Sequence, residues 1–328
     1  MPRTTTRPAG GGTRRRAKPA QPDPAKAATR KRLRPPRMLV YVDAAARHGS
    51  IRKAAEALNV AASALNRQIL DLELDLGSPL FERLPRGLRL TAAGELFLAY
   101  ARQAMSELKL VESRIEQLRG LVRGQVNVAA VESVAAELLP AAITAFQATH
   151  PNVRFNVRIS VPENLVAALS ADQVDLIITH NAPAKKDVTV LATAAQALCA
   201  LVVPDHPLAA RDALRLRDCL AYPLALADPT LAGRALIEQV LAQASFHLDP
   251  RLISNSVEAM KAFARMTRGV CFQFRKPGKA LVPPGDMLAL PLIDPPLLQA
   301  KLILASRRGR VLPIAAAKFV EQLKSTLA

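Results

Sequence analysis

The apolar residues of this chain change their spacing near residue 124, and this change constrains the fold more than any other feature. Before it, apolar side chains recur every three or four residues, which is typical of helices that bury one face. From Val126 onward, short apolar runs such as VNVAAV, VDLIITHN and KLILASRR alternate with helical stretches. That alternation is typical of repeated βα units and predicts mostly parallel sheets covered by helices. The chain therefore joins a helical N-terminal part to a larger α/β part.

Length and composition set broad limits on the class of protein. With 328 residues, the chain is long enough for two or three domains that each bury a core. No run approaches the ~18 consecutive apolar residues of a membrane helix, and the N-terminus lacks the apolar segment of a secretory signal. We therefore expect a soluble, cytoplasmic bacterial protein with no membrane contact.

Most of the positive charge lies in the first 37 residues. This segment has twelve lysines and arginines against one aspartate, so it carries +11 of the net charge of +18. It lacks the apolar residues that would offset chain entropy, so we expect a disordered basic arm that engages phosphates without sequence preference. A merely solvated tail, or a start codon assigned too early, remains an alternative.

The three cysteines, Cys199, Cys219 and Cys271, form no CxxC pair and have no metal-ligand spacing to a histidine. Cysteines of this kind are typically small buried hydrophobic residues in a reducing compartment, so we expect no metal and no cofactor. A redox-sensing pair stays open as an alternative, and it would need two of the cysteines to lie close in space.

Residues 38–91 have the pattern of short helices separated by tight turns. Gly49 ends the first helix, and Ser50 has the side chain of an N-cap for the second. A third helix is predicted from about Ala61 to Leu76. The segment LPRGLRL at residues 84–90 alternates around a turn, which predicts a small β-hairpin or wing.

A long helix is predicted over residues 92–122, bounded by Thr91 and Gly124. Its apolar residues are spaced four, three, four and three throughout, which is a heptad pattern held for more than three repeats. They are Phe97, Ala101, Ala104, Leu108, Val111, Ile115, Leu118 and Val122. A globular helix with one buried face could show part of this pattern, but its length favours a helix that dimerises.

A helix, a three-residue turn, a second helix and a wing together form an arrangement that reads DNA. The helix that starts at Ala61 would lie in the major groove, with Ser63, Asn66 and Arg67 at the base edges. Asparagine pairs well with adenine, and arginine with guanine, each contributing about 1–3 kcal/mol of discrimination. Arg86 at the tip of the wing could enter the minor groove. We also assign Ser50, Arg52 and Lys53 to the interface, nearer the phosphate backbone, where they would position the protein.

The segment GSIRKAAEALNVAASALNRQILDLELDLGSPLFERLPRGLRLTAAGE is similar to the winged helix-turn-helix of LysR-type transcriptional regulators. Leu72-Glu73, Leu76-Gly77, the residues LFER at 80–83 and LTAAG at 90–94 match the family's motifs in order and spacing. The resemblance covers residues 38–328, because HPNVRF, VDLIIT and DHPLA also fit the family's effector domain.

This resemblance implies an α/β protein overall, with an N-terminal winged helix-turn-helix, a long linker helix and a C-terminal two-lobed α/β effector domain like a periplasmic binding protein. The domain limits we expect are 1–37 for the tail, 38–95 for the DNA-binding domain, 96–123 for the linker helix and 124–328 for the effector domain. Lobe I would comprise residues 124–200 and 303–328, and lobe II residues 201–302.

The resemblance also implies a function. We expect a homodimer or homotetramer that binds an imperfect inverted repeat in promoter DNA and responds to a small-molecule coinducer, with RNA polymerase as a further partner if it activates. Two positions depart from the family. A frequent glutamine near the start of the reading helix is Ala62 here, and a frequent serine before the arginine is Asn66. The operator sequence therefore cannot be borrowed from relatives.

Ligands of two-lobed α/β proteins bind in the cleft between the lobes. Ser133 matches a position where relatives often hold a polar or anionic ligand at a helix N-terminus, which favours a carboxylate. Pro162 stands where relatives often have threonine or serine, so one ligand hydrogen bond would be missing or would move to Ser160 or Asn164. We expect a carboxylate or an aromatic effector, although Glu132 beside Ser133 argues against a purely anionic ligand, which it would repel.

Further polar residues lie at strand ends and helix starts that the fold would bring to this cleft, although plain capping or turn roles remain open for each. With Ser133 and Ser160, the predicted effector site comprises Thr179, His180, Asn181, Asp228, Thr230, Asn255, Ser256 and Gln273.

Three other functions compete with ligand-responsive regulation. One keeps DNA binding but makes the switch redox, through the cysteines. Another is an enzyme or solute-binding protein that uses the two-lobed half, but no catalytic triad, P-loop or GxGxxG motif is visible, so we expect no enzyme. The last is a constitutive DNA architectural factor that acts through the basic tail.

Overall fold

The computed structural model describes residues 34–85, 87–118, 122–181, 187–278, 280–282 and 286–327. The expected disordered arm at residues 1–37 therefore lies almost entirely outside the described residues, and so does Arg86. Among the described helices, none combines the length and the apolar character needed to cross a membrane.

The N-terminal part folds as three helices and a hairpin. They are α1 (Arg37–His48), α2 (Ile51–Leu58), α3 (Ala62–Leu76), β1 (Phe81–Leu84) and β2 (Gly87–Leu90). The two strands pair in antiparallel register, with Phe81 opposite Leu90, and so form the predicted wing.

Local chemistry fixes where these helices begin and end. Gly49 ends α1 with φ 60°, a left-handed conformation that glycine adopts without a steric penalty. The Ser50 hydroxyl then accepts the backbone N–H of Lys53 at 3.5 Å and caps α2. Gly77 ends α3 in the same way, with φ 63°. The helix ends predicted at these positions are confirmed.

The winged part has its own apolar core, formed by α1, α2, α3, the wing and the next helix. Leu65 and Ile69 of α3 are buried against Val42 and Ala45 of α1. Gly94 passes so close to the wing that a Cβ there would lie 2.0 Å from the carbonyl oxygen of Leu80. Only glycine permits this approach, which seats the following helix against the wing.

The long helix α4 (Ala92–Gln117) ends five residues before the Val122 predicted as its limit. Leu98 is buried in the winged core, Ala101 is also buried, and Arg102 reaches Asp43 of α1 at 2.9 Å. The C-terminal half of the predicted apolar seam is exposed instead, with Val111 at 48% and Ile115 at 46%.

The α/β part alternates strands and helices. In chain order these are β3 (Gly124–Ala130), α5 (Glu132–Ala135), α6 (Leu138–Thr149), β4 (Val153–Ile159), α7 (Pro162–Ser170), β5 (Leu176–His180), β6 (Val188–Val202), β7 (Leu224–Ala227), α8 (Ala232–Leu241), β8 (Pro250–Ser254), α9 (Val257–Thr267), β9 (Cys271–Arg275), β10 (Ala280–Val282), β11 (Met287–Pro291), β12 (Ala300–Arg307) and α10 (Ile314–Leu327). Short 3₁₀ turns lie at Pro207–Ala210, Leu216–Cys219 and Pro295–Leu298.

The prediction of mostly parallel sheets is wrong. The large sheet has the order β10-β11-β6-β12-β5-β3-β4, with β9 also paired to β6, and β7 and β8 form a separate pair. Only β3 with β4, β3 with β5 and β7 with β8 are parallel ladders among the described strands. The long strand β6 and the returning strand β12 run antiparallel to each other and to their neighbours. The sequence pattern revealed neither the first half of β6 nor β10 and β11.

Strands of the large sheet contribute residues to separate apolar cores, and these cores define two lobes. In lobe I, β3, β4 and β5 pack under α6, α7 and α10, around Phe146 and Phe319. In lobe II, β7, β9 and β11 pack with α8 and α9, around Leu226 and Phe272. Strand β6 supplies both cores, with Ala194 in lobe I and Leu198 in lobe II.

A polar network attaches lobe I to α4. Asp175 accepts the backbone N–H of Asn127 at 2.8 Å and an N–H of Arg310 at 2.7 Å. Arg310 also donates to the hydroxyl of Ser106 on α4 at 3.0 Å. The hydroxyl of Ser113, further along α4, accepts the N–H of Ile314 at 3.2 Å.

The winged core should depend strongly on Leu65. The change Leu65→Ala empties a fully buried site in α3 and should lower the free energy of unfolding by about 2–5 kcal/mol. The matched control is Leu74→Ala in the same helix, where the side chain is 82% exposed and the loss should stay within about 0.5 kcal/mol. Urea unfolding followed by circular dichroism measures both, and equal losses would contradict this assignment of the core.

Candidate DNA-reading surface and inter-lobe cleft

The outer face of α3 carries the residues predicted to read bases. Ser63 is exposed, and the Arg67 side chain is 84% exposed, with its Nε 3.9 Å from the carboxylate of Asp71. Asn66 is half-buried, and its Oδ1 accepts an N–H of Arg83 at 3.1 Å. Arg67 is therefore held only by a long ion pair, whereas Asn66 is tied to the wing.

The residues predicted to touch the phosphate backbone lie at the start of α2. The Ser50 hydroxyl is already used as the helix cap. Arg52 donates to Glu56 at 3.1 Å and is largely exposed, and Lys53 is also exposed. Arg86, the predicted wing-tip residue, lies outside the described residues.

Two residues that sequence reasoning did not assign to the site position the wing against α3. Glu73 of α3 accepts the backbone N–H groups of Leu80 and Phe81 at 2.7 and 3.0 Å. Arg83 of β1 reaches across to Asn66. Both residues stand in the motifs quoted above, but the sequence gives no sign that Arg83 contacts α3.

A cavity lies between the two lobes and is lined mostly by apolar side chains. Lobe I and strand β6 contribute Val131, Glu132, Ser133, Pro162, His180 and Leu198. Lobe II contributes Ala227, Leu231, Ala232, Gly233, Val257, Met260, Phe272, Gln273 and Phe274. Of the predicted effector residues, Ser133, His180 and Gln273 meet here.

His180 is a neutral hydrogen-bonding group in this cavity. It is 5% exposed, its Nε2 lies 3.1 Å from the Ser133 hydroxyl, and its ring centre lies 4.3 Å from that of Phe274. Burial lowers the pKa of His180 from 6.5 to about 4, because the charged imidazolium would lose its hydration. No described residue provides a hydrogen-bond partner for its buried Nδ1.

Gln273 of β9 is 3% exposed, and both polar atoms of its amide are buried. Neither Oε1 nor Nε2 has a hydrogen-bond partner among the residues that the structure describes. A buried polar group without a partner costs about 1–3 kcal/mol, so native proteins rarely leave one without a functional reason. Gln273 is among the residues that line the cavity, and its amide carries a donor group and an acceptor side by side.

Glu132 connects the lobes at the edge of the cavity. One oxygen of its carboxylate accepts the hydroxyl of Ser256 at 2.9 Å, and the other accepts the backbone N–H of Val257 at 2.7 Å. Ser256 is the N-cap of α9, so the Glu132 carboxylate lies at the N-terminus of that helix. Ser256 therefore contacts a residue of lobe I at the cavity edge.

Further ion pairs join the lobes beside this contact. The helical segment after β3 is interrupted between α5 and α6, and Glu137 stands at the interruption. Glu137 accepts from Arg275 at 2.5 Å and from the buried Lys261 at 3.5 Å, both in lobe II. The interruption also leaves Ser133 on a helix of only four residues.

The other predicted effector residues lie away from the cavity lining. Ser160 accepts from Asn164 at 3.1 Å beside a different surface depression. The Thr179 hydroxyl donates to the His180 carbonyl, and Asp228 accepts the backbone N–H and hydroxyl of Thr230. Asn181 adopts φ 45° and pairs with the backbone of Lys301, while Asn255 is exposed.

All three cysteines are free and buried. Burial raises the pKa of the Cys199 thiol to about 11 and those of Cys219 and Cys271 to about 12. Cys199 and Cys271 belong to the same apolar cluster of lobe II. The thiolate is the reactive form, so protonated buried thiols of this kind react slowly with oxidants.

Comparison with known proteins accounts for both halves of the chain. Residues 36–95 match the family model described as bacterial regulatory helix-turn-helix protein, lysR family. Residues 119–328 match the model described as LysR substrate binding domain. The chain belongs to the LysR family. The resemblance and the fold class expected from the sequence are thereby confirmed.

This LysR-family chain is 29% identical over 234 residues to the RuBisCO operon transcriptional regulator of Allochromatium vinosum, which covers 71% of this chain and 77% of that protein. Its fold is similar to a full-length OxyR variant from Pseudomonas aeruginosa, with a TM-score of 0.63, 21% identity and coverage of 88% and 96%. Full-length CbnR complexed with target DNA gives a TM-score of 0.56, 22% identity and coverage of 88% and 99%. The family names denote transcriptional regulators and not enzymes, as expected.

The buried His180 predicts a pH dependence of stability. In the unfolded chain, His180 binds a proton below about pH 6.5, whereas in the folded chain it binds one only below about pH 4. The free energy of unfolding therefore falls as the pH falls through this window. The slope from this group is at most about 1.4 kcal/mol per pH unit. His180→Gln should flatten the pH dependence of the urea midpoint, whereas the exposed control His247→Gln should follow the wild type. Parallel curves for His180→Gln and wild type would contradict this.

Proposed function

We propose that this LysR-family regulator binds promoter inverted repeats in double-stranded DNA as a homodimer or homotetramer, and that a small effector in the inter-lobe cavity controls it. The observation that carries the effector half is the unpaired, buried amide of Gln273 at the cavity wall. If the regulator activates transcription, RNA polymerase is a further partner.

The exposed face of α3 supports the DNA half of the proposal. In helix-turn-helix proteins, the N-terminal residues of the second helix contact base edges in the major groove. Ser63, Asn66 and Arg67 lie in the first turns of α3, with Arg67 the most exposed of the charged groups there. Arg52 and Lys53 lie on the preceding helix, which suits contacts to phosphates.

The cavity supports a small ligand with an apolar body. A ligand that pairs with Gln273 and with Nδ1 of His180 would supply hydrogen bonds that no described residue makes with these groups. Phe272, Phe274 and Met260 would cover its apolar surface. Such pockets combine mostly apolar walls with a few polar groups that fix the orientation of the ligand.

Exposed apolar residues on α4 and directly after it support the oligomer. They are Leu96, Tyr100, Val111, Ile115 and Leu118, each 46% exposed or more. Apolar side chains that recur along one long helix and face solvent are typical of a helix-pairing interface. We retain the limits 38–95, 96–123 and 124–328 for the DNA-binding domain, linker helix and effector domain, with the two lobes as stated above.

The redox-switched alternative has less support, because the raised pKa values of the three buried thiols disfavour oxidation. The enzyme alternative is excluded by the family.

Base reading by α3 predicts different effects for two arginines. Arg67→Ala should weaken binding to the operator by about 1–3 kcal/mol and leave binding to random DNA nearly unchanged, since a base contact is lost. Arg52→Ala should weaken both by similar factors and reduce the salt dependence, since a phosphate contact is lost. Fluorescence anisotropy with both DNAs at several salt concentrations measures this. Equal losses for Arg67→Ala on the two DNAs would contradict base reading.

Effector binding predicts a distinctive behaviour of Gln273→Leu. Without ligand, this variant should be at least as stable as the wild type, because it removes an unpaired buried amide. A small molecule present at about 100 times its dissociation constant should stabilise the wild type by about 2.7 kcal/mol. Gln273→Leu should lose most of that stabilisation, while the exposed control Gln243→Leu keeps it.

Thermal unfolding of the full chain against a panel of small aromatic and polar metabolites provides the measurement. If Gln273→Leu keeps the full saturable shift in melting temperature, the effector does not bind in this cavity.

A further inference from the structure

The N-terminus of helix α9, which attracts anions, is occupied by the carboxylate of Glu132 from the same chain. Glu132 reaches from lobe I and accepts the Ser256 hydroxyl at 2.9 Å and the Val257 N–H at 2.7 Å. Helix α9 has eleven residues, and its first N–H groups and dipole favour a negative charge at this end. Ser256 also accepts the N–H of Ala259 at 3.3 Å, so its hydroxyl is oriented to donate to Glu132.

The rest of the cavity lining is neutral. Among the described lining residues, Glu132 is the only charged group, and no lysine or arginine stands with it. His180 is uncharged at neutral pH, because burial lowers its pKa to about 4. A second carboxylate in this cavity would lie near the charge of Glu132, and like charges at short range repel each other.

The unpaired groups indicate what the cavity does accept. The NH2 donor group and the Oε1 acceptor of Gln273 are buried without a hydrogen-bond partner among the described residues, and so is Nδ1 of His180; both residues line the cavity. An amide is satisfied by a partner that offers an acceptor and a donor side by side. A carboxylate has only acceptors and would leave Oε1 of Gln273 unpaired.

We propose that Glu132 determines the effector specificity of this protein. It acts as a tethered carboxylate that fills the anion position of the cleft, so the effector is an uncharged molecule with an apolar body and an amide-like donor and acceptor pair. This inference rests on the proposed function, in which the cavity binds the effector, and it narrows the expected ligand from carboxylate or aromatic to uncharged.

Chemical rescue tests the proposal on the full chain. Glu132→Ala removes a group the size of acetate, so the melting temperature should fall by several degrees and about 100 mM acetate should restore at least half of the loss. Acetamide, the uncharged isostere, and chloride at equal ionic strength should restore much less. Acetate should not change the melting temperature of the wild type. It should also not change that of the control Glu163→Ala, which removes an exposed carboxylate elsewhere on lobe I.

Two further variants test the charge of Glu132 and the contribution of its partner Ser256. Glu132→Gln keeps the shape of the side chain and removes the charge, so it should fold, be less stable than the wild type and gain nothing from acetate. Combining Glu132→Ala with Ser256→Ala removes one partner of the anion and should weaken the acetate effect several-fold.

Several outcomes would overturn the proposal. The first is that acetate raises the melting temperature of Glu132→Ala no more than chloride does. The second is that Glu132→Gln is as stable as the wild type. The third is that benzoate stabilises the wild type and that Gln273→Leu loses this stabilisation. The last outcome would still support an effector site in the cavity. Retention of every ligand response by Gln273→Leu, in contrast, would contradict the proposed function and leave the acetate rescue as an independent observation.

Discussion

The antiparallel pairing of β6 with β12 is the interaction on which the effector half depends. Strand β6 has fifteen residues, and β12 pairs along it from Ala300 opposite Gln196 to Arg307 opposite Val188. Because the same two strands enter both lobes, the lobes are joined by hydrogen-bonded backbone as well as by covalent chain. The cavity lies where the sheet passes from one core to the other. Its walls are therefore set by two independently packed cores, with Ser133 and His180 on one side and Gln273 on the other.

Polar contacts join the two lobes beside the cavity, whereas each lobe is built around an apolar core. Glu132 and Glu137 extend from lobe I to the start of α9 and to Lys261 and Arg275. Charge-assisted hydrogen bonds of this kind are shorter and stronger than neutral ones, so they fix the orientation of the groups that they join.

The polar network around Asp175 offers a physical link from this half to α4. Asp175 holds the backbone of β3, the strand that leads directly to Glu132 and Ser133, and it also holds Arg310. Arg310 in turn donates to Ser106 on α4, and the N-terminal part of the same helix enters the winged core through Leu98. A continuous chain of hydrogen bonds therefore connects β3 to α4, through groups that are half-buried or buried.

The sequence by itself determined the elements whose causes are local. Glycines at 49 and 77 and the Ser50 cap set the helix ends, and apolar spacing identified α3 and most strands, because periodicity and capping involve neighbours along the chain. Only the tertiary structure decided strand direction, the interruption at Glu137, the capping of α9 by Glu132 and the lack of a described partner for the Gln273 amide. Glu132 and Ser256, for example, are 124 positions apart along the chain, and no local pattern encodes which of the many polar residues will meet.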